Sequence, residues 1–335
     1  MLSKLKYLLT ALMAVAPMAG AGSTVGAGGA AQPEDASNGP AGAVQSGERD
    51  LNFDLIFHDT DASGTFWGVM KKGLDDMGEA FGVSVNMIGS PDITEQAALV
   101  DTSIANDVDG IILTLPNVDA LRDAIQRAAD AGIPVVTINS GSDVFDTTAA
   151  FAHVGQDEFI AGQGAGARLV EEGATSILCP IHEQNNAALQ ARCDGVEDGA
   201  EGATVERIQV DVANLDATFE TIRTAVSSGD FDAVITLNPD VAVRARDAIA
   251  DAGSGTTLAT FDLGEEVINS IEDGTVAFAV DQQPYLQGAT PVYVLVTYIE
   301  NGHVLGGGQA ILTGPGFVDA SNVDQVREGV EAQTR

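Results

Sequence analysis

FDLIFHDTDASGTFWGVMKKG, residues 53–73, decides how the rest of the chain is read. A largely apolar run from Phe53 to Phe57 has strand character. It gives way to a small polar loop holding Asp59, Thr60, Asp61, Ser63, Gly64 and Thr65, and a helix then opens on Phe66 and Trp67. Strand, polar loop and helix start in that order is where parallel α/β sheets hold ligands, because loops at the strand carboxyl ends converge on one crevice. Two adjacent aromatics offer flat apolar faces there, while the loop offers hydroxyls and carboxylates. The combination suits a small polyhydroxylated molecule, apolar on its C–H faces and polar on its edge. The alternative is that both rings are core. Trp67, the only tryptophan, is the stronger candidate of the two, since its N–H needs a partner wherever it is buried.

Apolar runs of strand length alternate with helical patterns along the chain. Strands are expected at 53–57, 83–88, 110–115, 133–138, 150–154, 175–180, 204–210, 232–237, 257–261 and 276–280. Helices are expected at 65–80, 92–106, 117–131, 157–172, 186–200, 214–227, 240–252 and 264–272. Alternation at this spacing means βαβ units and parallel sheets. DGIILTLPNVDALRDAI (109–125) and DAVITLNPDVAVRARDAI (232–249) echo one another weakly: in both, a β run ends in a Pro/Asn loop that starts a helix. The expected fold is therefore α/β, with two doubly wound parallel-sheet lobes and a cleft between their loop ends.

Composition narrows the function. With 335 residues the chain exceeds one ordinary core. Lys4 and Lys6, the apolar stretch Tyr7 to Val15 and Ala19-Gly20-Ala21 read as a signal peptide over 1–21. Residues 22–50, rich in Gly, Ala, Ser and Pro, read as a disordered linker. No later apolar stretch reaches the length of a membrane span, so an exported, periplasmic protein without direct membrane insertion is expected. There are 15 basic residues against 49 acidic, a formal net charge of −34, and cleavage would remove two of the four lysines. Nucleic-acid binding needs basic patches and is not expected. An acidic, lysine-poor surface fits a salt-rich habitat. Cys179 and Cys193, 14 positions apart, are read as a structural disulfide in preference to two buried thiols. They lack the companions a zinc site needs, and no metal or cofactor is expected.

Across about residues 50–328 the chain resembles periplasmic sugar-binding proteins of the ribose-binding type, the solute receptors of ABC importers. The resemblance rests on TFWGVMKKG (65–73), AGIPVVTINS (131–140), HVGQDEFIAGQGAG (153–166), LNPDVAV (237–243), ATFDLGEEVINSIEDG (259–274), AVDQQPYLQG (279–288) and LTGPGFVD (312–319), in shared order and spacing. It implies a type I binding-protein fold with a three-crossover hinge near Gln156/Asp157, Gln282/Gln283 and Ile311/Leu312. The lobes would be 51–155 plus 283–311, and 156–282 plus 312–328.

Residue by residue, the resemblance implies that Phe66 and Trp67 sandwich a sugar ring. Asn139 falls where the family has Asp, and Ser140 and Gln190 fall where it has arginines. Asn238, Asp262 and Gln282 match the family's amide, carboxylate and hinge amide. His182, Glu183 and Asn185, in the divergent loop IHEQNN (181–186), stand as substitutes for the missing arginines. Sugar hydroxyls both donate and accept, so Asp, Asn, Gln and His are the side chains that satisfy them, and Asp262 is the expected anchor. Plainer roles stand beside these: Asp262 or Asp157 as a helix cap, Asn238 as a turn former, His153 as a structural residue near the hinge. His58 is left open between cleft and scaffold.

The implied function is capture of a monosaccharide or sugar alcohol by a monomer and its delivery to a membrane permease by hinge closure. A chemotaxis or signalling receptor for the same ligand is the alternative. An exported carbohydrate-active enzyme is a further one; the chain shows no nucleophile elbow, zinc motif or phosphate loop for it.

Overall fold

The computed structural model describes residues 47–335. The expected signal peptide and nearly all of the expected linker lie outside the described residues. Two six-stranded sheets organise the chain. The first lobe begins with β1 (Asn52–Phe57), α1 (Thr65–Phe81), β2 (Ser84–Gly89), α2 (Ile93–Ala105), β3 (Gly110–Thr114), α3 (Val118–Asp130), β4 (Val135–Ile138) and β5 (Ala152–Gly155). The second holds α4 (Glu158–Glu171), β6 (Ser176–Ile181), α5 (Ala187–Gly199), β7 (Thr204–Gln209), α6 (Leu215–Ser227), β8 (Ala233–Thr236), α7 (Pro239–Ala252), β9 (Thr257–Phe261), α8 (Glu265–Glu272) and β10 (Phe278–Asp281). The chain then returns to the first lobe for α9 (Pro284–Asn301) and β11 (Ile311–Leu312), and ends in the second with β12 (Gly316–Asp319) and α10 (Val323–Glu331).

The sheet orders are β11-β5-β4-β3-β1-β2 and β12-β10-β9-β8-β6-β7. All pairings are parallel except β10 with β12. The two orders match strand for strand, so the echo between 109–125 and 232–249 is a true equivalence: β3–α3 and β8–α7 hold the same place in the two sheets. Each sheet is buried on both faces, as parallel sheets require. Along β1, Phe53, Leu55 and Phe57 join one core cluster while Ile56 joins another. Asp54, buried in the same strand, is satisfied by Ser103 Oγ and Asn86 Nδ2.

Every expected strand and helix is present to within two residues at either end. Four of the strands and α-helices lie outside the expectation. Helix α9 is apolar around most of its circumference and carries Pro291 inside it, which hides the helical period and adds a breaker signal. β11 has two residues, too few for any pattern, and β12 and α10 are short. Passages between the sheets occur at 156–157, 282–283 and 313–315. The third is displaced from the expected Ile311/Leu312 step, because both residues pair with β5 through Val154 and Gly155.

Helices α4 and α5 meet backbone to backbone. A Cβ on Gly162 would lie 2.1 Å from Arg192 O, and one on Gly195 2.1 Å from Phe159 O. That closeness brings Glu158, at the start of α4, against Arg192 in the middle of α5. Cys193, next in α5, is bonded to Cys179 of β6, Sγ–Sγ 1.99 Å. In the chain-entropy view a loop of this length contributes about 3 kcal/mol. Reduction, or Cys193→Ser, is therefore expected to lower the urea midpoint by that equivalent. An unchanged midpoint would show that the bond constrains nothing in the unfolded chain.

Candidate functional site

The loops at the carboxyl ends of both sheets enclose a cavity of about 180 Å³. One water needs on the order of 10–15 Å³ on the same scale, so the space suits one small molecule of roughly a dozen heavy atoms. Nine of the eleven residues expected at a ligand site line it: Phe66, Trp67, Asn139, Ser140, His182, Glu183, Asn238, Asp262 and Gln282.

The floor is built from equivalent positions of the two sheets. Asn139 follows β4 and Asp262 follows β9, and both hold left-handed backbone, φ 62° and 69°, a conformation that Asn and Asp tolerate better than other side chains. Gln282, at the second passage, joins them. Its Nε2 donates to Asp262 Oδ1 at 2.7 Å, and its Oε1 accepts from Asn139 Nδ2 at 3.2 Å. Gln287 and Thr313 hold Gln282 from behind through Gln287 Nε2 to Gln282 Oε1 (2.9 Å) and Thr313 Oγ1 to Gln282 O (2.7 Å). Ser140 Oγ donates to Asn139 Oδ1 at 3.0 Å.

Arg192 is the feature the sequence reading missed. Gln190, expected at the site in the place of a family arginine, does not line the cavity; Asn185, also expected there, is exposed on the loop. The reason lies in the face of α5: its buried residues are Ala188, Leu189, Arg192, Cys193, Gly195 and Val196, a helical stripe that leaves Gln190 to one side. The stripe Leu189–Cys193–Val196 was legible, and it carries Arg192 with it. Arg192 is 3 % exposed. Its Nε and Nη2 donate to Glu158 Oε2 and Oε1 at 2.6 and 3.2 Å, and Nη1 donates to Leu237 O at 3.2 Å. Nη1 also lies 3.8 Å from Asp262 Oδ2, and the guanidinium stacks 4.6 Å over Phe261. The cavity thus does offer a cation, although Ser140 and Gln190 stand where the family has its arginines.

Electrostatics follow from burial. Asp262 is pushed up to about 7 by desolvation, which outweighs the pull of Arg192 and the Gln282 hydrogen bond. Burial works against the Arg192 charge, but Glu158 and Asp262 more than offset it and hold its pKa above the ordinary value. His182 is pushed down to about 4 by burial, against the opposing field of Glu183. A neutral His182 beside Glu183, 3.8 Å away, is no charged pair.

Phe66 and Trp67 form a wall and not a sandwich. Their rings meet edge to face, centroids 4.9 Å apart at 83°, and nothing flat fits between them. Consecutive helical residues diverge by about 100°, so neighbours cannot present parallel faces. Trp67 packs further on Phe57 and on His58, each 5.0 Å away. His58 also lines the cavity, which settles the position left open.

The plainer roles divide. Gly264, with no side-chain cap, begins α8, so Asp262 is not a cap. Asn238 is one, accepting from the Asp240 and Val241 amides, and it lines the cavity as well. Asp157 caps α4 through the Ile160 amide. His153 is fully buried on Thr137 Oγ1 (3.0 Å) and Phe145, a scaffold residue.

Comparison with known proteins adds four findings. Residues 56–303 match the family described as periplasmic binding protein domain. The solved structure of a carbohydrate transporter from Acidothermus cellulolyticus, in complex with myo-inositol, shares 39 % identity and superimposes with a TM-score of 0.82. That match covers 85 % of this chain and 99 % of the other. Among curated proteins, the xylose/arabinose-binding protein of Sulfolobus acidocaldarius is 27 % identical over 62 % of this chain, and the chain spans 56 % of that relative's length. The ribose import binding protein of Bacillus subtilis is 27 % identical over 67 % of this chain and 74 % of its own.

Proposed function

The chain belongs to the periplasmic binding protein family, and from that premise we propose that its cavity captures one neutral monosaccharide or sugar alcohol for delivery to an ABC importer. The observation that carries the reading is the continuous line of polar side chains Asn139–Gln282–Asp262–Arg192 across the floor, drawn from both sheets and the hinge. A ring of hydroxyls bound to that line would touch both lobes at once, so its binding energy favours the closed arrangement. Phe66 and Trp67 would cover one apolar face of the ring. Asn238 Nδ2, with its oxygen engaged by α7, would be free to donate. Lobe boundaries at the three passages and export by an N-terminal signal complete the reading. The permease would then recognise the closed form, and a chemoreceptor reading the same form is the second outcome.

An enzyme is the weaker reading. Ser140 Oγ donates to Asn139 and not to an imidazole, so no base activates it. His182 and Glu183 lie 3.8 Å apart, with His182 held neutral by burial.

The Acidothermus relative was solved with myo-inositol, so this cyclitol heads the compounds to test, followed by pentoses, hexoses and linear polyols. Thermal unfolding in molar salt is the screen. A ligand at a hundred times its Kd should add about 2.7 kcal/mol, a rise of several degrees for a protein of this size. No shift from any neutral polyol, with chemical change in one of them, would replace the receptor reading with the enzyme.

A further inference from the structure

Two carboxylates compete for the one guanidinium at the cavity floor, and they do not share it evenly. Arg192 turns its fork to Glu158: Nε donates to Oε2 at 2.6 Å and Nη2 to Oε1 at 3.2 Å. Asp262 receives neither bond. Its Oδ2 lies 3.8 Å from Nη1, beyond hydrogen-bond length, and accepts from no other described residue, while Oδ1 is engaged by Gln282. Yet it is Asp262 that lines the cavity, and Glu158 does not.

The division follows from how Glu158 is held. It stands in the first turn of α4, where a negative charge is favoured by the helix end. Gln156, at the first passage between the lobes, donates its Nε2 to Glu158 Oε2 at 2.7 Å. The backbone contact of α4 on α5 at Gly162 and Gly195 fixes the spacing between Glu158 and Arg192. Stacking on Phe261 fixes the plane of the guanidinium.

We propose that Glu158 is a positioning residue for capture: it holds the Arg192 fork off Asp262 and so keeps Asp262 Oδ2 open to accept a ligand hydroxyl. The role deepens the sugar-binding reading and rests on it for the ligand. Glu158, Arg192 and Asp262 all belong to the second lobe, so their arrangement travels with that lobe as the hinge opens and closes. Without the Glu158 charge, a buried guanidinium is best served by a paired contact to Asp262. A hydroxyl would then have to break that pair to reach the carboxylate.

The charged groups facing Asp262 are Arg192 from α5, Glu158 from α4 and Asp281 at the end of β10, itself paired with Arg335 at 2.7 Å. Gln282 faces it uncharged from the second passage. Desolvation is the largest influence on the Asp262 carboxyl and raises it; Arg192 and the Gln282 bond lower it, and Glu158 and Asp281 raise it. A neutral amide at 158 removes one of the raising charges and releases Arg192 towards Asp262. Both changes act downward, and an arginine brought against an aspartate lowers its titration by about 1–3 pH units.

The test is Glu158→Gln, which keeps the side-chain size and an oxygen for Arg192. Carboxyl carbon resonances are followed through pH without ligand, the Asp262 signal being identified by its loss in Asp262→Asn. Calorimetry then gives Kd for myo-inositol and for single pentoses and hexoses. In Glu158→Gln, Asp262 is expected to titrate about 1–3 pH units below its value in the parent. The Kd of whichever compound the parent binds should weaken at least about tenfold, although no residue lining the cavity has changed. Glu158→Asp keeps the charge but draws it back, so it should fall between the two in both measurements; if the glutamine variant fails to fold, the aspartate variant decides. A role confined to stability would lower the unfolding midpoint and leave Asp262 titrating as in the parent, which overturns the proposal. So does an Asp262 titration that rises, or an unchanged Kd. The titration needs no ligand: if the parent binds none of these compounds the sugar reading fails, and the shift of Asp262 still supports or overturns the hold of Glu158 on Arg192.

Discussion

Arg192→Ala is expected to lower stability by about 3–5 kcal/mol, the usual consequence of removing one partner from a buried charged set. Glu158 and Asp262, 4 % and 5 % exposed, would face each other's field with no cation between them. Leu237 O would lose its donor, and Phe261 its stacked guanidinium. Sugar binding should disappear with it, because Arg192 holds the Asp262 side of the floor. Arg192→Lys is not a mild change here: an ammonium cannot make the paired contact to Glu158 or lie flat on Phe261. Urea unfolding of both variants measures the effect. An alanine variant as stable as the parent would mean that the triad is solvated in solution and that the floor is not rigid.

The second large effect is expected at Asp262. Asp262→Asn preserves shape and tolerates the left-handed backbone, so a loss of affinity reads on charge and hydrogen bonding alone. A hydrogen bond to a charged group contributes about 1.5–3 kcal/mol, which corresponds to a roughly 10- to 150-fold weaker Kd. The same variant has a signature in stability. Burial raises Asp262 from the ordinary carboxyl range to about 7, so between those values the native state holds a proton that the unfolded chain has released. Its contribution is present at acid pH and lost as pH rises towards 7. Stability measured between pH 5 and pH 8 should therefore fall less steeply in Asp262→Asn than in the parent. Parallel curves would mean that Asp262 is already ionised across this range.

Much of the architecture could be read from residues 53–73 and the repeats of that pattern. Buried parallel strands show as apolar runs, and Asp92, Asn117, Asn186, Asn214 and Asn238 mark the helix starts that follow them. The repeat was visible only at 109–125 and 232–249, although it extends through every strand pair from β1/β6 to β5/β10. It places Asn139 opposite Asp262, and Gln156 opposite Gln282, as the residues just past equivalent strands. That pairing explains why two otherwise strained residues lie together at the floor.

What was hidden is of a different kind. Arg192 contacts the floor because α4 and α5 touch at Gly162 and Gly195, and a helix's rotation about its axis is a tertiary fact. The family pattern pointed to Gln190, two positions and about 200° away on the helix. Asn186 caps α5; its second bond, to His58, depends on the other lobe. The perpendicular set of Phe66 and Trp67 likewise follows from helix geometry, which an aligned motif does not display.

The proposed floor binds one neutral polyol, anchored by Asp262. Calorimetric titration of the parent and of Asp262→Asn, with myo-inositol and then with single pentoses and hexoses, tests this most directly. The expected result is one saturable site on the parent for at least one of these compounds, weakened by tenfold or more in the variant. Saturable binding that is equal in the two proteins would contradict the assigned floor, and no binding by any compound would contradict the function itself.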